Sequence, residues 1–162
     1  MTRFEQLIPA LSAAGVEFIL IGGLAAVAHS SSRATYDVDV VYRRSPGNIA
    51  RLCEALTQHS PRLRGAPAGL PFILDPKTVA FGLNFTLTTA LGDLDLFGEI
   101  PGGRTYEELL PDTEERIVFG HSCRVVTLDK LLHLKRSTGR AKDLEVAAEL
   151  EEIRHRKKSG EQ

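Results

Sequence analysis

Asp37 and Asp39 stand two residues apart inside the run Tyr36-Asp37-Val38-Asp39-Val40-Val41 of a 162-residue chain. Side chains alternate along a strand, so the two carboxylates share a face while Val38 and Val40 turn to the core. Two strand steps set them roughly 7 Å apart along the backbone, which lets both lean on one divalent cation or on two cations roughly 4 Å apart. Upstream, an apolar stretch enters Gly22 and Gly23 and then an Ala-rich segment. Glycines at a helix start leave backbone N–H groups bare, a place that suits a phosphate. Each part has a plainer account. A Gly pair is common turn chemistry, and alternating acids often mark the wet face of an edge strand. The combination is harder to dismiss, because Asp is a poor strand former and two sit among Val and Tyr. A phosphate cradle beside a metal-binding carboxylate pair is equipment for phosphoryl or nucleotidyl transfer.

The sequence Ile21-Gly22-Gly23, thirteen residues, then Asp37-Val38-Asp39 resembles the signature of the DNA polymerase beta-like nucleotidyltransferase superfamily. The stretch from His29 to Asp39, HSSSRATYDVD, is similar to a group of small bacterial nucleotidyltransferases that includes abortive-infection and toxin–antitoxin enzymes. Their usual form is His-Gly-x-x-Arg-x-Thr-x-Asp-x-Asp. His29, Arg33, Thr35, Asp37 and Asp39 match it, and Ser30 departs where Gly is usual.

The superfamily carries a third carboxylate on a later strand. Leu91-Gly92-Asp93-Leu94-Asp95-Leu96-Phe97 supplies the candidates, with Asp93 and Asp95 on one face of an alternating run. The resemblance favours Asp95, flanked by Leu94 and Leu96. Asp93 follows Gly92 and stands as the alternative, a turn residue. Near the C-terminus, Lys135, Arg140, Lys142 and Asp143 are similar to the Lys…Arg-x-Lys-Asp element of the same group. The plain account is a solvated basic helix junction. As a cluster, such cations suit the open side of a triphosphate site.

The resemblance implies a minimal nucleotidyltransferase fold, α/β in the mixed α+β sense, with a small mixed twisted sheet flanked by helices. It implies that Asp37, Asp39 and Asp95 hold two Mg²⁺ or Mn²⁺ ions. Gly22, Gly23, Arg33, Thr35, Lys135, Arg140 and Lys142 would contact the nucleotide. The reaction would move an NMP from an NTP to an acceptor hydroxyl with release of pyrophosphate, in a toxin-type component of a toxin–antitoxin system. The acceptor would be a tRNA, a protein or a small molecule, and the partner a cognate antitoxin or a second copy of the chain. The competing reading is a catalytically inactive nucleotide-binding or protein-interaction module of such a pair. A metal-dependent phosphohydrolase would use similar acids but leaves the Gly-Gly turn unexplained.

Composition fits one domain over residues 1–155 with a flexible polar tail at 156–162. A chain of this length buries roughly 70% of its unfolded surface. Hydrophobic residues make up 43% and charged residues 25%, ordinary for a soluble globular protein, and the net charge of −1 gives no general pull toward nucleic acid. No apolar run reaches the ~18 residues a membrane span needs. The N-terminus reads as a helix start and not a signal peptide, and Cys53 and Cys123 read as reduced thiols, so the expected location is cytoplasmic. There is no P-loop, no His-Glu-x-x-His and no Cys-x-x-Cys. His29 reads as a helix-end orienting group.

The pattern of elements is α/β. Thr2 and Glu5 suggest a capping box for a helix carrying Phe4, Leu7, Ile8 and Leu11 that ends before Gly15. Strands are expected at 16–21 and 37–42, and helices at 24–30 and 46–58. Residues 60–78 look like an irregular excursion rich in Pro, Gly and Arg. An antiparallel pair is expected from 79–88 and 93–100, and Pro101-Gly102-Gly103 should lead into a short helix at 105–110. A hairpin follows at 116–119 and 122–126. Thr127 should cap a helix that stops at Gly139, and a last helix should use Leu144, Val146, Leu150 and Ile153 before fraying from Arg154.

Overall fold

The computed structural model describes residues 1–67, 69–101 and 104–160. Gly102, Gly103 and the last two residues of the expected tail lie outside the described residues, as does Ala68. The four-residue strand β1 (Phe18–Ile21) is wholly buried, as its unbroken apolar sequence demands. It runs directly into α2 (Gly22–Ala28), so the helix starts at the glycines and not at Leu24. β2 (Asp37–Tyr42) returns antiparallel to β1, with Asp39 opposite Ile21.

Two helices, α1 (Phe4–Ala13) and α3 (Pro46–Thr57), pack on each other. Pro46 opens α3 at a position where its missing N–H costs nothing. The expected capping box at Thr2 does not form, and α1 has no side-chain cap. The Thr2 hydroxyl instead donates to the Tyr36 carbonyl and accepts from Asp93 N–H at 3.1 Å. It thereby staples the N-terminus across the two strands that carry the acids.

The excursion is more ordered than its composition suggests. It contains β3 (Arg62–Leu63) and ends at α4 (Pro76–Phe81). Asp75 caps α4 by accepting from Thr78 N–H at 2.8 Å, and Pro76 sits in its first turn. That local helix start overrides the strand expected from residue 79, because Val79 buries itself on the helix. β4 (Asn84–Thr89) therefore begins later, and it pairs antiparallel with β5 (Gly92–Phe97). β6 (Glu99–Ile100) leaves that sheet and forms a separate ribbon with β7 (Arg104–Thr105), which leads into α5 (Tyr106–Leu109).

The hairpin of β8 (Thr113–Val118) and β9 (His121–Val126) is longer than expected. Phe119 and Gly120 both take positive φ, 49° and 80°, as a two-residue turn matched to strand twist requires. The seven strands of the main sheet lie in the order β3-β4-β5-β2-β1-β9-β8. β2 is parallel to β5 and β1 parallel to β9, so the sheet is mixed.

Thr127 caps α6 (Leu128–Thr138), and Gly139 ends it at φ 68°. The last helix, α7 (Ala141–Lys158), runs past Arg154 instead of fraying there. Arg154 reaches Glu151 at 2.6 Å and Asp129 of α6 at 3.2 Å, and Arg136 of α6 reaches Glu151 at 2.6 Å. These contacts, together with burial of Ile153, hold the final turns on α6. Leu144 points outward instead of inward, and Ala147 takes the buried place beside Val146 and Leu150. The helices α2, α6 and α7 make one connected layer on the carboxylate side of the sheet.

Candidate active site

Parallel pairing of β2 with β5 sets Asp37 opposite Asp93 and Asp39 opposite Asp95. All four side chains therefore fall on one sheet face, while Val38, Val40, Leu94 and Leu96 are buried on the other. Three of the acids converge. Asp37, Asp39 and Asp95 each bring a carboxylate oxygen within 4.8 Å of the other two. Asp93 turns aside: its Oδ1 accepts from the Thr88 hydroxyl at 3.0 Å and its side chain is 40% exposed, against 18% for Asp95.

Crowding like charges in a partly buried place disfavours their ionisation. Burial, then the Asp37 and Asp95 charges, push the Asp39 carboxyl up to about 7. Asp37 is also raised, by burial first and by Asp95 second. Asp95 Oδ1 is buried and has no aligned hydrogen-bond donor. Three hard oxygen donors with an unclaimed lone pair among them fit Mg²⁺ or Mn²⁺.

The glycines are where the acids need them. Gly22 has φ 68°, and a Cβ there would collide with Asp39 Oδ2. A Cβ on Gly23 would lie 2.6 Å from the Thr35 hydroxyl. A side chain at Gly22 would displace the Asp39 carboxylate, and one at Gly23 would displace Thr35. The start of α2 also lacks a side-chain cap, and Gly23 of its first turn lines the cavity described next.

The acids form the floor of a cavity of about 760 Å³ whose other wall is α6 and α7. Arg33, Thr35, Lys135, Arg140 and Lys142 all line it. Most are already engaged. Arg33 Nε lies 3.0 Å from Glu149, and the Thr35 hydroxyl donates to the Asp37 carbonyl at 3.2 Å. Lys135 lies 3.4 Å from Asp143 Oδ1, and Arg140 Nε donates to Asp143 Oδ2 at 2.7 Å. Burial works to raise the Asp143 carboxyl, but the Thr138 hydroxyl, Lys135 and Arg140 outweigh it and hold it below the ordinary value.

His29 lies outside the cavity lining, at the C-terminal cap of α2. Its Nε2 sits 2.8 Å from the Val126 carbonyl, so that nitrogen carries the proton, and burial lowers its pKa. It ties α2 to the end of β9. Ser30 takes φ 81°. Ser31 N–H reaches the Ala26 carbonyl and Ser30 N–H the Val27 carbonyl, both at 2.9 Å, the paired bonds of a Schellman helix end. Ser30 thus occupies the left-handed position that Gly fills most readily, and the loop keeps that shape without it.

One residue of this site has no counterpart in the motifs. Arg64, just past β3, donates through Nη2 to the Leu87 carbonyl at 2.6 Å. The same Nη2 lies 2.9 Å from Asp95 Oδ1, and Nε lies 3.5 Å from Asp93 Oδ2. The only sequence signal was Arg62-Leu63-Arg64, a single polar–apolar–polar alternation inside a stretch whose composition reads as irregular.

No protein-family model and no curated protein matches the sequence. Solved structures do match the fold. The chain is similar to the lincosamide antibiotic adenylyltransferase LnuA, solved with lincomycin bound, at a TM-score of 0.61 and 13% identity over 91% of this chain and 93% of that one. It is similar to ANT(2'')-Ia, solved with adenylyl-2''-tobramycin, at 0.54 and 12% identity over 95% and 94%. A Thermotoga maritima protein assigned as a nucleotidyltransferase aligns at 0.53 and 13% identity over 92% and 94%. The architecture, a mixed sheet flanked by helices, is a nucleotidyltransferase fold.

Proposed function

We propose that this chain is a metal-dependent nucleotidyltransferase that moves an NMP from an NTP to an acceptor hydroxyl and releases pyrophosphate. The observation that carries this reading is the convergence of Asp37, Asp39 and Asp95 within 4.8 Å, directly below glycines that admit no side chain. Mg²⁺ or Mn²⁺ held by these three would lower the pKa of the acceptor hydroxyl and neutralise the triphosphate and the leaving pyrophosphate. Gly22 and Gly23 keep the backbone bare beside the acids, so a triphosphate can approach it closely. Lys135, Arg140 and Lys142, with Arg33 and Thr35, contact its phosphates from the helical wall. Lys135 and Arg140 do so by trading contacts with Asp143, and Arg33 by trading contacts with Glu149.

The acceptor class has two lines of support. Two proteins of the same fold carry antibiotic names or adducts, which supports a small-molecule hydroxyl. The His29 to Asp39 stretch resembles toxin–antitoxin enzymes, which supports a tRNA or protein acceptor in the cytoplasm and an antitoxin or a second copy as partner. Among the described residues no helix is long and apolar enough to cross a membrane. An inactive module explains less, since three clustered acids repel one another without a cation and Ser30 leaves the loop shape in place.

The test is pyrophosphate release from each NTP with Mn²⁺ and pooled tRNA, cell protein or small alcohols as acceptor. Wild type should release pyrophosphate with one acceptor class and Asp39→Asn should not. Equal release from both, or none from wild type with any NTP, would contradict the reading.

A further inference from the structure

The floor of the cavity ends at Asp95, and Arg64 stands beyond it. The arginine is held at both ends. Its backbone N–H donates to the Thr86 carbonyl at 3.0 Å, and its Nη2 donates to the Leu87 carbonyl at 2.6 Å. Both anchors belong to β4, the neighbour of the strand that carries Asp95. Asp93 Oδ2 lies 3.5 Å from Nε, an ion pair without an aligned hydrogen bond, and Asp93 is itself fixed by the Thr88 hydroxyl at 3.0 Å. The side chain is 28% exposed, so little of it is free to sample water.

Two features of the contact with Asp95 matter. Nη2 lies 2.9 Å from Oδ1, yet no donor is aligned on that oxygen, and one N–H of Nη2 goes to the Leu87 carbonyl. Arg64 therefore attracts the carboxylate by charge without consuming its lone pair. A direct hydrogen bond would compete with a metal for that oxygen. A guanidinium pinned to a carbonyl and set beside the oxygen restrains the carboxylate and leaves it able to ligate.

We propose that Arg64 is a positioning residue for the third carboxylate: clamped on β4 and backed by Asp93, it holds Asp95 in the trio with Asp37 and Asp39. The inference rests on the metal-binding reading above. It explains why β5 carries two acids on one face. Asp95 belongs to the trio, and Asp93 holds the arginine that keeps Asp95 there. Without Arg64, a partly buried carboxylate facing two others loses the cation beside it, and it turns toward water. The trio then falls to a pair.

Groups that orient metal ligands typically contribute tenfold to a hundredfold in metal affinity. The experiment is Mn²⁺ titration of the nucleotide-free protein, followed by electron paramagnetic resonance, in wild type, Arg64→Gln, Arg64→Lys and Asp39→Asn, with thermal unfolding alongside. Arg64→Gln should bind Mn²⁺ about tenfold or more weakly. Arg64→Lys keeps a charge but loses the forked anchor, and it should fall between that variant and wild type. In turnover, kcat should drop in both while KM for NTP stays within about twofold, because the helical wall that meets the phosphates is untouched. Mn²⁺ affinity equal to or tighter than wild type in either folded Arg64 variant overturns the inference, whatever happens to the melting temperature. Equal affinity of wild type and Asp39→Asn overturns the metal reading itself, and Arg64's role with it.

Discussion

The two walls of the cavity carry opposite charge and opposite states of satisfaction. On the strands, Asp37, Asp39 and Asp95 face one another with Arg64 beside Asp95, and the first two are held above their ordinary pKa. On the helices, Lys135 and Arg140 already share Asp143, and Arg33 already meets Glu149. The strand wall crowds like charges that a divalent cation would neutralise. The helical wall is paired as it stands, and on the proposed reading a phosphate would have to win its cations from internal carboxylates. Function should thus depend steeply on the acids and gradually on the bases.

The largest expected effect breaks the strand wall. Asp39→Asn should lower transfer by about a thousandfold or more, the equivalent of about 4 kcal/mol of transition-state stabilisation, read by pyrophosphate release. Asp95→Asn should behave alike. Asp93→Asn should cost about tenfold at most, because that residue only backs Arg64. A larger loss from Asp93→Asn than from Asp95→Asn would reverse their assignment.

A second effect concerns pH in the metal-free protein. The folded pKa of Asp39, about 7, lies above the unfolded value of 3.8. Its protonated form is favoured by folding, so this contribution is complete below about pH 4 and is lost as pH rises through about 7. Metal-free wild type should lose on the order of 1–3 kcal/mol across that window relative to Asp39→Asn, which lacks the titrating group. Chemical denaturation of both at pH 5 and pH 8 measures the difference. A wild type that gains on the variant as pH rises would show that the acids are not crowded.

The helical wall should respond less. Lys142→Ala should weaken NTP binding by about 1–3 kcal/mol, the scale of a charged hydrogen bond, by calorimetry. Lys135→Ala should weaken it less, because that lysine is shared with Asp143. Unchanged affinity in both would take the basic cluster out of the site.

The smallest effect belongs to the loop between the walls. Ser32 N–H donates to Glu149 of α7 at 2.9 Å, so the turn at Ser30 links the strand wall to the helical one. Ser30→Gly should stabilise the protein by about 0.5–1 kcal/mol by relieving the left-handed backbone. A destabilised variant would mean that the serine side chain contributes something the geometry does not show.

The block from β1 to β2 was legible in the sequence because its signals are local: an apolar run, two glycines and alternating acids. The boundaries of β2 were readable to the residue. Arg64 was not legible, since its partners are brought to it by a two-residue edge strand across β4. Thr2 misled for the same reason. Its spacing to Glu5 fits a cap, but the hydroxyl finds Tyr36 and Asp93, both remote in sequence. The strand expected at residue 79 gave way to α4, because Asp75 and Pro76 set a helix start that outweighs a short apolar pattern. The last turns of α7 depend on Asp129, Arg136 and Glu151, contacts between helices that no window along α7 reveals.

Mn²⁺ titration with a non-hydrolysable ATP analogue, comparing wild type with Asp39→Asn by electron paramagnetic resonance, decides whether the three aspartates bind a divalent cation. Wild type should bind Mn²⁺ more tightly when the analogue is present, and Asp39→Asn should lose most of that affinity with and without it. Indistinguishable Mn²⁺ binding by the two proteins would mean that the aspartate trio is not a metal site.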